Sequence, residues 1–162
     1  MLISPLNGFF RYWSGLHFNP RLPPHESYRQ LRMVYGWHAR SPKYRFTWIA
    51  YQNALAEELT VLFGKIWDLE PWRKLCSAVG INPPPNTCED GIWATRGLFV
   101  NIIDLIHWAR TGGCNGDVAT WSTKSDLWRY SIQTDKIFER DMTARDRHNV
   151  VLQHLTHCMM QC

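Results

Sequence analysis

Apolar and polar positions repeat with a helical period over most of this chain. The clearest case runs from Ser41 to Phe63, where Tyr44, Trp48, Tyr51, Leu55, Leu59 and Leu62 fall three and four residues apart and form one stripe. Ser41 offers an N-cap oxygen, Pro42 suits the first helical position, and Gly64 stops the run. Glu57 and Glu58 fall elsewhere on the cylinder in this reading. Before it, Pro24 to Tyr35 reads as a helix closed by Gly36, with Tyr28, Leu31, Met33, Val34 and Tyr35 on its apolar side. After it, Asp68 opens a short helix over Leu69–Val79 that buries Trp72, Leu75, Cys76 and Val79. The segment NPPPN (82–86) makes an extended connector. Thr87 with Asp90 three residues on resembles a capping box for a brief helix, which Gly91 and Gly97 weaken.

The most apolar run is LFVNIIDLIHWAR, Leu98–Arg110, and it carries Asn101, Asp104 and His107. Being apolar on nearly all sides, it is the predicted central helix around which the amphipathic ones pack. The glycine-rich TGGCNGD that follows is not a phosphate loop: it sits at the negative end of a helix and lacks a Lys-Ser/Thr pair. Val118–Trp121 reads as a short extended piece, and Ser122 or Thr123 caps a helix to about Gln133 bearing Leu127, Trp128 and Tyr130. Thr143 or Asp146 opens a last helix with Val151, Leu155 and Cys158 as its stripe. Residues 1–23 hold Phe9, Phe10, Tyr12, Trp13 and Phe18 among Gly, Asn and Pro, and are expected to be a non-helical aromatic arm across the body. The prediction is an all-α fold: one compact domain, 1–162, of six or seven helices around a central apolar helix, with little or no strand.

Composition adds one unusual feature. Nine Trp, six Tyr and seven Phe make 14% of the residues, enough either for a bulky core or for a cavity that takes an apolar ligand. The net charge of +4 comes from 18 Lys and Arg spread along the chain rather than gathered in a run, which speaks against nucleic-acid binding. Five cysteines without a repeating spacing, and an N-terminus unlike a signal peptide, lead to the expectation of reduced thiols in a cytoplasmic protein. No run reaches the ~18 apolar residues of a membrane span, so no membrane partner is expected.

Four segments come in order: FNPRLPPHESYRQLRMVYGW (18–37), WRKLCSAVGINPPPNT (72–87), VNIIDLI (100–106) and YSIQTDKIF (130–138). Together they resemble a family of small, mostly uncharacterised fungal proteins, over about residues 9–155. The resemblance implies a fungal source and a shared fold, and it implies no activity. The family's pattern carries a His just before the VNI-D-L segment; this chain has Phe99 there, so no role of that His transfers.

Candidate chemistry centres on the apolar run. Asn101, Asp104 and Trp108 are placed on one helix face, with His107 beside them. An Asp on an apolar helix is costly to bury unless paired or functional. It is therefore either a structural polar knot, tied to an Arg or a helix-end N–H, or an acid pointing into a pocket. Asp104, His107 and Asn101 are the candidate catalytic residues, and Trp48, Tyr51, Trp108 and Tyr44 the candidate substrate-binding rings. His154, His157, Cys158 and Cys162 form H-x-x-H-C-x-x-x-C, whose spacing fits no usual zinc site. No metal and no cofactor are expected, and nucleophile-elbow, zinc-protease and dinucleotide motifs are missing from the sequence.

Three function classes stay open. The first is a cofactor-independent enzyme of fungal secondary metabolism acting on an apolar small molecule in a Trp- and Tyr-lined pocket: a cyclase, isomerase or pericyclase such as a Diels-Alderase. The second is a non-enzymatic helical protein-interaction module using the aromatic arm. The third is a nucleic-acid-binding protein.

Overall fold

A computed structural model of the chain describes residues 3–139 and 149–151. Among them are seven helices: α1 Pro5–Arg11, α2 Pro24–Tyr35, α3 Pro42–Leu62, α4 Leu69–Ala78, α5 Cys88–Thr95, α6 Ile102–Arg110 and α7 Lys124–Thr134. Two short strands, β1 Phe99–Val100 and β2 Thr120–Trp121, pair antiparallel, with Phe99 opposite Trp121 and Val100 opposite Thr120. The fold is the all-α one the periodicity predicts. Among the described residues no helix is long and apolar enough to cross a membrane.

Most boundaries follow the local chemistry. Ser41 caps α3, its hydroxyl accepting from the Tyr44 N–H at 3.2 Å. Gly36 ends α2 in the left-handed conformation at φ 61°, where a side chain would be strained. Thr87 and Asp90 form the reciprocal capping box of α5. Gly91 lies inside that helix for a steric reason: a Cβ there would come within 2.8 Å of Trp72.

Two expectations are corrected. The central helix begins at Ile102, not Leu98, because Asn101 is its cap: the side-chain oxygen accepts from the Ile103 and Asp104 N–H groups. Asn101 is therefore in extended backbone and does not share a helix face with Asp104. Residues 99–100 are strand instead, held by β2. The second correction concerns the arm, where residues 5–11 are helical. Ser4 accepts from the Asn7 N–H and Pro5 opens the helix, a start signal that the surrounding Gly and aromatic residues hid.

The core runs between α1, α3, α4 and α6, with Phe10, Tyr51, Leu55, Leu59, Phe63, Leu75, Ile103 and Ile106 buried in one cluster. α1 packs mainly on α3, and α6 on α3 as well. Leu6 and Phe10 are each 1% exposed, so the N-terminal segment is part of the core rather than laid over it. The C-terminal helix expected from Thr143 or Asp146, apart from buried Val150 and Val151, lies outside the described residues, as do His154, His157, Cys158 and Cys162.

Candidate functional site

Asp104 stands in the first turn of α6 and accepts two hydrogen bonds, from the Tyr130 hydroxyl of α7 at 2.7 Å and from Lys136 Nζ at 2.7 Å. Lys136 also donates to the Tyr130 oxygen at 2.6 Å, closing a triangle. Burial works against the Lys136 charge, yet its bonds to Asp104 and Tyr130 outweigh that, so its pKa rises above the ordinary lysine value. Burial, helped by Asp104 and opposed by Lys136, pushes the Tyr130 phenol up, so it keeps its proton at neutral pH. Asn101 supports the same corner from beneath, its amide donating to Ser131 Oγ at 2.9 Å and to the Lys136 carbonyl at 3.0 Å. The cap of α6 and the acid of α6 thus both hold down the chain that follows α7.

His107, Trp108, Asp104 and Tyr130 line one open cleft of about 220 Å³, closed on the far side by residues 115–119. Desolvation, reinforced by Lys136 and Arg110 against Asp104, lowers the His107 pKa, so the imidazole is neutral at neutral pH. Its Nε2 is 3.4 Å from the Asn115 amide. The cleft unites Asp104, His107 and Trp108 and adds Tyr130. Trp48, Tyr51 and Tyr44 are outside its described lining. They join Tyr28 in a separate ring stack, with Tyr28 on Tyr51 at 4.3 Å, Trp48 on Tyr28 at 5.3 Å and Tyr44 on Trp48 at 6.4 Å. Tyr51 is 2% exposed and packs in the core. Among the described residues no group of three or more His, Cys, Asp or Glu could hold a metal.

A second polar centre corrects the expectation that Glu58 falls away from the buried stripe of α3. Glu58, 2% exposed, receives Arg110 Nη1 at 2.6 Å, the Ser4 hydroxyl at 2.6 Å and the Leu6 N–H at 3.1 Å. Arg110 also donates to Ser4 Oγ at 2.9 Å, Asn7 Oδ1 at 2.7 Å and the Pro20 carbonyl at 3.3 Å. This clasp joins α3, α6 and the start of α1. A signal was present, because Tyr51, Leu55, Glu58 and Leu62 continue a four–three–four spacing that puts the carboxylate on the inward face.

The surface holds the third feature. Residues 1–56 contain seven basic residues (Arg11, Arg21, Arg29, Arg32, Arg40, Lys43 and Arg45) and one acid, Glu26. The whole chain nets only +4, so everything beyond residue 56 is acidic on balance. The cations are indeed spread out; it is the acids that are missing from the first third. Six of the seven are exposed, and Glu26 is already paired with Arg29. Among them rises a ring cluster: Trp13 meets Tyr12, Tyr35 and Trp37 edge-on at 5.2, 5.3 and 5.0 Å, and Arg32 lies over Tyr44 at 5.0 Å. Comparison with family models, with curated proteins and with solved structures returns no match for this chain.

Proposed function

We propose that this chain is a non-enzymatic helical interaction module that docks on a polyanionic partner through its N-terminal third. One observation carries the reading: six exposed cations, with the region's sole acid already paired with one of them, Arg29, share the N-terminal third with exposed aromatic side chains. Such a face attracts a negatively charged surface from a distance and offers rings for the close contact. The aromatic surplus, which on sequence grounds fits either a bulky core or a ligand cavity, is spent partly in the core and partly on the surface, with Tyr12 and Phe46 exposed in this region and Trp67, Trp93 and Trp128 elsewhere. Heparin tests it. The protein is expected to be retained at low salt and released as ionic strength rises and screening sets in. Reversal of two exposed charges, Arg40→Glu with Lys43→Glu, should abolish retention without altering the circular dichroism spectrum. Retention that the reversals leave unchanged, or no retention at low salt, sinks the reading.

A second reading, a cofactor-free enzyme moving a proton on a small molecule, draws on the cleft, where neutral His107 could act as base beside the Tyr130 hydroxyl. Titration with small cyclic enones, followed by the His107 imidazole resonances, tests it. Saturable shifts that Asp104→Asn weakens by about ten-fold or more support it, and unmoved resonances remove it.

A further inference from the structure

We propose that the polyanionic partner is an anionic lipid surface, a step that rests on the docking reading above. Its basis is the kind of apolar group that stands among the cations. Tyr12 is 79% exposed, Met33 75% and Val34 53%. They belong to two elements, the end of α1 and the last turn of α2, and the chain just after α1 meets that turn. The Gly15 N–H donates to the Tyr35 hydroxyl at 3.2 Å, and a Cβ at Gly15 would lie 3.4 Å from Val34 Cγ1. Arg11 flanks this edge in sequence on one side and Arg32 on the other, with Arg40 and Lys43 on the loop and helix start that follow α2.

The ring geometry selects between partners. A single nucleic-acid strand is held by bases stacking on open ring faces. Here Tyr35 and Trp37 stack on each other at 5.2 Å and 19°, and Trp13 meets both at steep angles, so one face of each stacked ring is taken up within the protein. What protrudes most from these two elements is the Tyr12 side chain and the Met33 and Val34 tips, with the Phe46 ring of α3, 75% exposed, further along the chain. A nucleic acid gains nothing from exposed Met33 and Val34, whereas the headgroup–acyl boundary of a bilayer accepts such tips alongside aromatic side chains. Arginine and lysine near the boundary are drawn to anionic headgroups. Among the described residues no helix is long and apolar enough to cross a membrane, so the contact is with the bilayer surface.

The test is co-sedimentation of the full chain with vesicles of phosphatidylcholine alone and with about a quarter phosphatidylserine. Binding is expected only to the anionic vesicles and should fall steeply with salt. Tyr12→Ser with Met33→Ser keeps every charge, and it should weaken vesicle binding about ten-fold or more while leaving heparin retention unchanged. Both side chains are exposed, so the variant should keep the native unfolding midpoint. Retention on heparin with no binding to anionic vesicles overturns the lipid inference and leaves the docking reading standing. Tighter binding to a single-stranded oligothymidylate than to the vesicles at the same salt overturns it in favour of a nucleic acid. Failure on heparin and vesicles alike overturns both.

Discussion

Glu58 and Arg110 are opposite charges taken out of water together, with side chains 2% and 10% exposed. The attraction of such a pair roughly offsets its desolvation, so it adds little net stability, but removing one member strands the other. Arg110→Ala is therefore expected to cost about 3–5 kcal/mol, measured by urea denaturation. Glu58→Gln should cost less, since the amide oxygen still accepts from Ser4 or Leu6. The clasp was legible in spacing and illegible in residue type, because a glutamate in an apolar stripe reads as a solvent-facing charge until a partner far along the chain is seen. Asp104 was the reverse case. Its cost on an apolar run was recognised, but the cation that meets it lies 32 residues on, past a turn the sequence does not aim. Two histidines set a pH dependence. His25, whose Nδ1 is buried without a partner, has its pKa lowered by burial and by Lys136, against Glu26, Asp104 and Asp135. His107 is lowered by burial too. Between the ordinary value of 6.5 and these lowered ones the unfolded chain binds more protons than the folded one. Stability is thus fully present above about pH 6.5 and is lost as pH falls toward the folded values. Thermal midpoints across that range should show the loss, and His25→Gln should lessen it. A midpoint that rises on acidification contradicts the assignment.

At the scale of elements, what the sequence stated well were the helices that carry their own punctuation. α2 with Gly36 and α3 with Ser41 and Pro42 stand at or within a residue of their expected bounds, and α5 starts at its capping box. What it stated poorly were ends set by tertiary partners. Leu98–Val100 is as apolar as the helix it precedes, and only pairing with Thr120 and Trp121 makes part of it strand. Apolarity alone has no period to separate the two. Asn101 is where the two states meet, and it holds α6, Ser131 and the Lys136 carbonyl at once. Asn101→Ala removes the cap and leaves buried groups unpaired, so a loss of about 2–4 kcal/mol follows from the two contributions together. Gly91 gives a test of opposite logic. In an isolated helix Gly→Ala stabilises by about 1 kcal/mol, but here the added methyl meets the ring and Cβ of Trp72 within 3 Å. Trp72 is 2% exposed and cannot step aside freely. Gly91→Ala should therefore lower the urea midpoint; a raised midpoint would show that α4 and α5 can part at little cost.

On the scale of the whole molecule, the N-terminal third does two things that ordinary surface arms do not combine. Its inward side completes the core through Leu6 and Phe10 and supplies Ser4 and Asn7 to the Glu58–Arg110 clasp. Its outward side carries the cations and the Tyr12, Met33 and Val34 tips. The two sides make separable predictions. Charge reversal at Arg40 and Lys43 touches only exposed side chains, so stability should stay within about 0.5 kcal/mol while heparin retention disappears. Deleting residues 1–13 acts on the other side. It strips two buried side chains worth about 1.5–3 kcal/mol each, removes the Phe9 and Phe10 rings that pack on Tyr51, and leaves Glu58 and Arg110 without three of their partners, Ser4, the Leu6 N–H and Asn7. A domain of this size holds about 5–15 kcal/mol in all, so the sum of these losses is comparable with the whole. The shortened chain is expected to lose cooperative unfolding and to keep helical signal without a sharp thermal transition. Should it instead unfold at the native midpoint, α1 would be an appendage, and the basic face would have to be carried by α2 and the start of α3 alone.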